Sequence, residues 1–379
     1  MPAPQFVFVA GEASGDLLAA PVIGTLRKQR PEAAISGVAG DRMIAAGCHA
    51  WSHVRELSVR GYAEVLRELP RLLRLRRTLR DRVIVQGASV FVGVDAPDFN
   101  LKLETAARAA GIPTVHYISP SIWAWRRERI ELVRRAASRV LLVFPFEQTI
   151  YDEAGIPATY VGHPLAQQIP MQPDRNAARL RLGLRPEGRL VAMLPGSRRA
   201  EVEHLTPVFL DAATILLIRD ATLSFVVPIA DASLRARIAQ QLAGCPQLAQ
   251  AVRLIDGRSH DCLEAADGVL VASGTATLEA ALFKRPMVIA YRMPRLSWWL
   301  MKNRGYLPWV GLPNILAREF LVPELLQDAA TPQALADALS AQLQADPRRL
   351  HERFVAMHGE LLRDTPKLAA DAIIETAGL

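Results

Sequence analysis

Eight short runs of consecutive apolar, β-favouring residues recur along this chain, and stretches of helical pattern separate them, an alternation that restricts the fold more than any other feature. The runs are Phe6 to Ala10, Val90 to Val94, Thr114 to Ile118, Val140 to Phe144, Leu190 to Leu194, Phe225 to Ile229, Val269 to Ala272 and Pro286 to Ala290. A strand that is apolar at every position, rather than at every second one, is buried on both faces, and strands joined through helices run parallel. The expected fold class is therefore α/β, doubly wound. A chain of 379 residues exceeds what one core usually supports. The proline-rich, polar segment from His163-Pro164 to Pro173-Asp174 separates two series of runs. We expect an N-terminal domain over residues 1–165, a C-terminal domain over 166–346, and a helical tail over about 347–379 able to pack back on the first.

Half of the residues are hydrophobic, yet no stretch approaches the roughly 20 uninterrupted apolar residues of a membrane span. Met1 to Gln5 lacks the basic segment and apolar core of a secretory signal, so a cytoplasmic location is expected. Cys48, Cys245 and Cys262 have no metal-type spacing and read as reduced, packed thiols. No metal and no cofactor are expected. The net charge of +7 points to an anionic partner, which phosphorylated substrates or an acidic membrane would satisfy. No recognisable nucleic-acid module accompanies it, which disfavours nucleic acid.

Several runs end in turns suited to ligands, because open α/β sheets bind at the carboxyl ends of their strands. Two turns in the second half, Pro195-Gly196-Ser197-Arg198 and Ser273-Gly274-Thr275, end a strand in small residues and open a helix. Backbone N–H groups and the positive end of a helix dipole suit a phosphate there, and two such turns suggest one diphosphate held between them. Arg198 adds a guanidinium that pairs with phosphate and stabilises departing charge. Glu201 and Glu203 read as complements to the helix dipole. Glu279, one turn after Thr275, is placed to accept ribose hydroxyls, although a solvated helical glutamate explains it equally well.

In the first half, Phe6 to Ala10 runs into Gly11-Glu12-Ala13-Ser14-Gly15-Asp16. The dinucleotide spacing Gly-x-Gly-x-x-Gly is absent, and Glu12 would repel a pyrophosphate; Ser14 and Asp16 also read as helix caps. Val90 to Val94 ends in Asp95-Ala96-Pro97-Asp98-Phe99-Asn100, where Asp95 is the candidate general base and Asp98 the turn or cap residue. The stretch from His116 through Ser119, Trp123, Trp125 and Arg126 sets aromatic faces beside guanidinium groups, a pairing suited to sugars and phosphates and also to ordinary packing. Finally, Glu64 to Arg80 is rich in leucine and arginine. At helical spacing Leu66, Leu69, Leu72, Leu73, Leu75 and Leu79 fall on one side and Arg67, Arg71 and Arg74 on the other, with a break expected at Pro70. With Leu296 to Arg304, a second mixture of aromatics and cations, it suggests contact with an anionic interface.

In this order the motifs resemble the lipid-A-disaccharide synthase family. The resemblance rests on Gly11 to Asp16, Gly93 to Asn100, Ser119 to Arg126, Leu194 to Arg198, Ser273 to Glu279 and Leu312-Pro313-Asn314, and it covers nearly the whole chain. It implies two Rossmann-like domains of the GT-B type facing a cleft. It also implies an inverting transfer from UDP-2,3-diacylglucosamine to 2,3-diacylglucosamine 1-phosphate, giving the β-1,6-linked disaccharide 1-phosphate and UDP. Carried onto this sequence, Asp95 and Glu12 belong to the acceptor side and the catalytic step. Gly196, Ser197, Arg198, Ser273, Gly274, Thr275, Glu279 and Asn314 belong to UDP-sugar binding, while Ser14, Asp98, Ser119, Trp123 and Arg126 belong to the acceptor or cleft. Trp309 stands where the family pattern suggests a tyrosine. With Arg198 and two helix N-termini on the leaving group, no divalent metal is needed for its departure. The implied location is peripheral, on the cytoplasmic face of the bacterial inner membrane, and a homodimer is compatible with the sequence. Competing readings are a UDP-N-acetylglucosamine 2-epimerase, the peptidoglycan glycosyltransferase, and a non-catalytic nucleotide-sugar sensor.

Overall fold

A computed structural model describes residues 3–57, 62–124, 127–293 and 307–379, with the side chains of 62–67 excepted. Trp125, Arg126 and the Leu296 to Arg304 cluster lie outside the described residues. The chain divides into two compact units, Met1–Pro164 with Glu360–Leu379, and Leu165–Gly359.

The first unit is built on seven strands: β1 (Gln5–Ala10), β2 (Ala34–Ala39), β3 (His49–His53), β4 (Val90–Val94), β5 (Thr114–Tyr117), β6 (Arg139–Leu142) and β7 (Ala158–Tyr160). All pair in parallel, in the order β3-β2-β1-β4-β5-β6-β7. Helices α1 (Ala13–Gln29), α2 (Asp41–Ala45), α3 (Tyr62–Val85), α4 (Pro97–Ala109), α5 (Ile130–Ala136) and α6 (Glu147–Glu153) connect them. The second unit carries six strands: β8 (Leu190–Leu194), β9 (Ser224–Ile229), β10 (Val252–Asp256), β11 (Gly268–Ala272), β12 (Met287–Tyr291) and β13 (Glu324–Leu326). These too are parallel, ordered β10-β9-β8-β11-β12-β13. Its helices include α7 (Pro164–Gln168), which begins at the unit boundary, α8 (Arg175–Arg181), α9 (Arg199–Arg219), α10 (Ala232–Ala243), α11 (Ser259–Ala265) and α12 (Thr275–Leu282). Both units thus have the doubly wound, Rossmann-like strand order.

Five strands were not legible as apolar runs, and four of them, β3, β7, β10 and β13, are sheet edges. An edge strand keeps positions in water, so its sequence need not be apolar throughout; in β10, Arg253 and Asp256 are exposed. The fifth, β2, contains Ser36 and Gly37. Gly37 has φ 145°, and a Cβ there would lie 1.8 Å from the Phe8 carbonyl oxygen, so a side chain is excluded by the neighbouring strand.

Helix α3 runs through Pro70 without the expected break. Proline removes one backbone donor and tends to kink a helix, but it need not end one whose other residues are held by packing. Leu79 and Val83 anchor its later turns in the core with Val7, Phe91 and Leu103. Earlier, Leu69 and Leu73 stay 43% and 36% exposed. Among the described residues, no helix is long and apolar enough to cross a membrane.

Candidate functional site

In the second unit, β8 lies between β9 and β11, so the connections leaving this point diverge. This is the topological switch at which open α/β sheets form their ligand crevice. A cavity of about 470 Å³ opens there. The turn after β8 contributes Gly196, Ser197 and Arg198, and the turn after β11 contributes Ser273, Gly274, Thr275 and Ala276. Because Leu194 pairs with Val271, the two turns emerge side by side. Helices α9 and α12 begin at them, directing two helix N-termini into one cavity. Glu279 also lines it, and so do Pro228 and Ile229 at the end of β9, Ala230 after it, and Gly257 and Ser259 after β10. Apart from Ser259 these last residues carry no polar side chain; only their position at strand ends could have marked them.

Glycine is needed at both turns. Gly196 has φ 122° and a Cβ would sit 2.5 Å from the Glu201 carboxylate, while Gly274 has φ 153°, a conformation side chains rarely adopt. The Glu201 carboxylate does more than complement a dipole. Its Oε2 accepts hydrogen bonds from Ser197 N (3.1 Å) and Arg198 N (3.3 Å), and its Oε1 lies 3.3 Å from Arg198 Nη1. An anion is therefore already accommodated by the backbone expected to meet phosphate. Arg198 remains 84% exposed at its side chain and can turn toward a ligand.

Asn314 requires a correction. It is fully buried, its Nδ2 donates to Val322 O and Glu324 Oε1, and its Oδ1 accepts from Leu321 N and Val322 N. Two donors and two lone pairs are all that an amide offers. Nothing is left for a nucleotide, and Asn314 instead ties its helix to the segment leading into β13.

In the first unit, Ala10 pairs with Val94, so the turns after β1 and β4 also emerge together. Their approach demands glycine: a Cβ on Gly11 would lie 2.1 Å from Ala96 Cβ. Asp95 and Ala96 both take left-handed backbone, φ 52° and 46°, and Ile118 at the end of β5 does so at 78°. For non-glycine residues such conformations cost about 1–2 kcal/mol each and cluster at functional sites. Asn100, fully buried, holds the strained turn: its Nδ2 lies 2.8 Å from Asp95 O, 3.3 Å from Val94 O and 3.1 Å from Val9 O. The Asp95 side chain is half-buried, while Glu12 and Ser14 are exposed on the adjacent turn. Asp98 is exposed and paired with Arg129 at 2.7 Å.

Asp16 is not a cap of its own helix. Its carboxylate accepts from Gly40 N (2.9 Å), Arg42 N (3.1 Å) and Met43 N (2.9 Å), fixing the turn into α2. Ser119 is buried, its hydroxyl 2.7 Å from Tyr151 Oη, and Trp123 Nε1 donates to Glu147 Oε1 at 3.1 Å. Both side chains brace the loop after β5 from below. Glu147 is the partner that the sequence did not reveal; it directly follows the apolar stretch Val143-Phe144-Pro145-Phe146 and belongs to no motif. Burial pushes its carboxyl up to about 8 against hydrogen bonds from Phe144 N and from Ser119 and Trp123, so the protonated acid is favoured at neutral pH. Nearby, Glu104 and His116 form a fully buried pair at 2.7 Å, and burial raises the Glu104 carboxyl despite the imidazole.

Comparison with known proteins follows the same lines. The sequence model of a family described as lipid-A-disaccharide synthetase matches residues 6–373. Lipid-A-disaccharide synthase of Bordetella avium is 51% identical over 386 residues, covering 97% of this chain and 97% of that protein. The protein of the same name in Verminephrobacter eiseniae is 52% identical over 383 residues, covering 98% and 97%. Among solved structures, UDP-GlcNAc 2-epimerase from Neisseria meningitidis bound to UDP-GlcNAc superposes with a TM-score of 0.67 at 12% identity, covering 98% of this chain and 100% of that one. That last likeness is one of fold.

Proposed function

The chain belongs to the lipid-A-disaccharide synthetase family and is a glycosyltransferase; from this premise we propose that it joins UDP-2,3-diacylglucosamine to 2,3-diacylglucosamine 1-phosphate. The products are the β-1,6-linked disaccharide 1-phosphate and UDP. The observation that carries the donor assignment is the cavity at the β8 and β11 turns, with two helix N-termini and Arg198 around it. Full-length relatives at about half identity favour this reading over an epimerase, a peptidoglycan glycosyltransferase or a sensor.

The step is a direct displacement. The acceptor 6-hydroxyl oxygen forms a bond to the donor's anomeric carbon as the bond from that carbon to UDP breaks, inverting the centre. Asp95 takes the hydroxyl proton, and Glu12 on the adjoining turn assists on the acceptor side. Negative charge developing on UDP is met by Arg198, by the Ser197 and Thr275 turns and by the dipoles of α9 and α12, with Glu201 yielding its backbone partners to the diphosphate. Glu279 accepts the ribose hydroxyls. Ser119 and Trp123 act by shaping the acceptor loop rather than by touching sugar.

Both substrates carry acyl chains, and α3 exposes Leu69 and Leu73 on a helix rich in arginine. We therefore place the protein peripherally on the anionic cytoplasmic face of the inner membrane, held by that helix. The decisive experiment incubates the purified protein with both acylated substrates and detects the disaccharide 1-phosphate and UDP by mass. Free UDP-sugar turnover without a disaccharide, or a 2-epimer as product, overturns the assignment.

A further inference from the structure

Charge in the donor cavity does not balance on the motif residues alone. Among its described lining residues the charged ones are Arg198, Glu201 and Glu279. Arg198 pairs with Glu201, which leaves Glu279 as uncompensated negative charge in a space that takes a diphosphate. One residue outside the motifs answers this. His260, on α11, places Nε2 3.7 Å from Glu279 Oε2, and its ring packs edge-on against Phe283 with centroids 5.5 Å apart.

We propose that His260 is a positioning residue for the donor: its imidazolium holds and neutralises the Glu279 carboxylate, so that UDP-sugar binding weakens when His260 loses its proton. The inference rests on the reading of this cavity as the donor site.

The surroundings of the imidazole favour the cation. Glu279 on α12 is the foremost influence raising its proton affinity above the ordinary histidine range, and Asp261 and Glu264 on its own helix add to it. Both of those acids are already engaged, by Arg181 from α8 and, for Asp261, by Arg258 in the preceding turn. Strands β8 and β9, also packed against α11, contribute no charged residue. Glu279 is thus the carboxylate that His260 is left to serve. With the two side chains 39% and 19% exposed, the pair is partly solvated, and its effect belongs near the upper end for surface pairs, up to about fivefold in a binding constant.

The test measures donor and acceptor KM and kcat from pH 6 to 9 for the native protein, His260→Gln, His260→Arg and Glu279→Gln. Native donor KM should rise with pH as the imidazole deprotonates. His260→Gln should show a donor KM about two- to fivefold above native at pH 6 and equal to native at pH 9. His260→Arg, permanently charged, should hold the low value across the range. Acceptor KM and kcat should follow native in both variants. A donor KM in His260→Gln that tracks native at every pH overturns the role of His260, as does a native pH dependence of donor KM in Glu279→Gln, which leaves no charge for the imidazolium to neutralise. A donor KM unchanged in Arg198→Ala, measured alongside, overturns the donor-site reading beneath it. Should His260→Gln fail to fold, the comparison of native with His260→Arg decides: identical pH profiles overturn the proposal.

Discussion

Replacing Gly11 with alanine adds one methyl group at the tightest contact between the two turns of the first unit. The new Cβ would lie 2.1 Å from Ala96 Cβ, whereas ordinary contact begins at 3.4 Å, so the turns must part by about 1.3 Å. Ala96 adjoins Asp95, the proposed general base, whose carboxylate in that role must meet the acceptor hydroxyl within hydrogen-bond reach. Misplacement of a reacting group by about 1 Å commonly costs on the order of 10²-fold in rate, so kcat of Gly11→Ala should fall about 100-fold. Overpacking should lower stability by about 1–3 kcal/mol. Donor KM should not change, because the described residues lining the donor cavity all belong to the second unit. The second substitution Ala96→Gly removes the opposing methyl and also relieves left-handed backbone at φ 46°, so Gly11→Ala/Ala96→Gly should recover most of the lost kcat. Steady-state kinetics with saturating donor, together with thermal unfolding, reads all of this. A Gly11→Ala protein with kcat within threefold of native, or a double variant as slow as the single, would refute the claim that this contact sets the base.

Asp95→Asn should lower kcat about 10²–10⁴-fold with acceptor KM little changed, as expected for loss of a general base; near-normal turnover would remove Asp95 from the chemistry. Arg198→Ala should raise donor KM roughly tenfold or more, the scale of a charge-assisted hydrogen bond, in direct titration or kinetics. Glu147 binds its proton more tightly in the folded protein, with its carboxyl pushed up to about 8 from the ordinary 4.5, so its contribution to stability is full below about 4.5 and is lost as pH rises through about 8. Glu147→Gln cannot titrate, and its thermal midpoint should fall less than native across that window. Changing Leu69, Leu72 and Leu73 together to serine should weaken binding to anionic vesicles in a flotation assay while the midpoint of unfolding stays near native, because Leu69 and Leu73 lie outside the buried cluster that anchors the helix.

Much of the architecture is local information. β1, β4, β8 and β11 are buried at nearly every position, and each is preceded or followed by a helix, so both central sheets could be read from apolar runs alone. The edge strands could not, because water satisfies one side of them and removes the compositional signal. Turns at strand ends likewise announced themselves through Gly196, Ser197, Gly274 and Asp95. The partners that set those turns did not. Asn100 stands at the tail of a motif, and nothing in the sequence beside Glu147 or His260 marks either of them.

The sequence by itself determined that this chain forms two parallel-sheet units with small-residue turns at their central strands, because burial on both faces and helix entry leave residue patterns within a few positions of one another. Only the tertiary structure decided which polar groups those turns leave for a ligand. Asn314, expected at the nucleotide, is spent on four internal hydrogen bonds; Asp16, expected to cap its own helix, fixes another turn; and Glu201 occupies backbone donors that phosphate was expected to meet. A side chain's donors and acceptors are allotted by distance in the folded state, often across many residues of sequence, and no local pattern records that allotment.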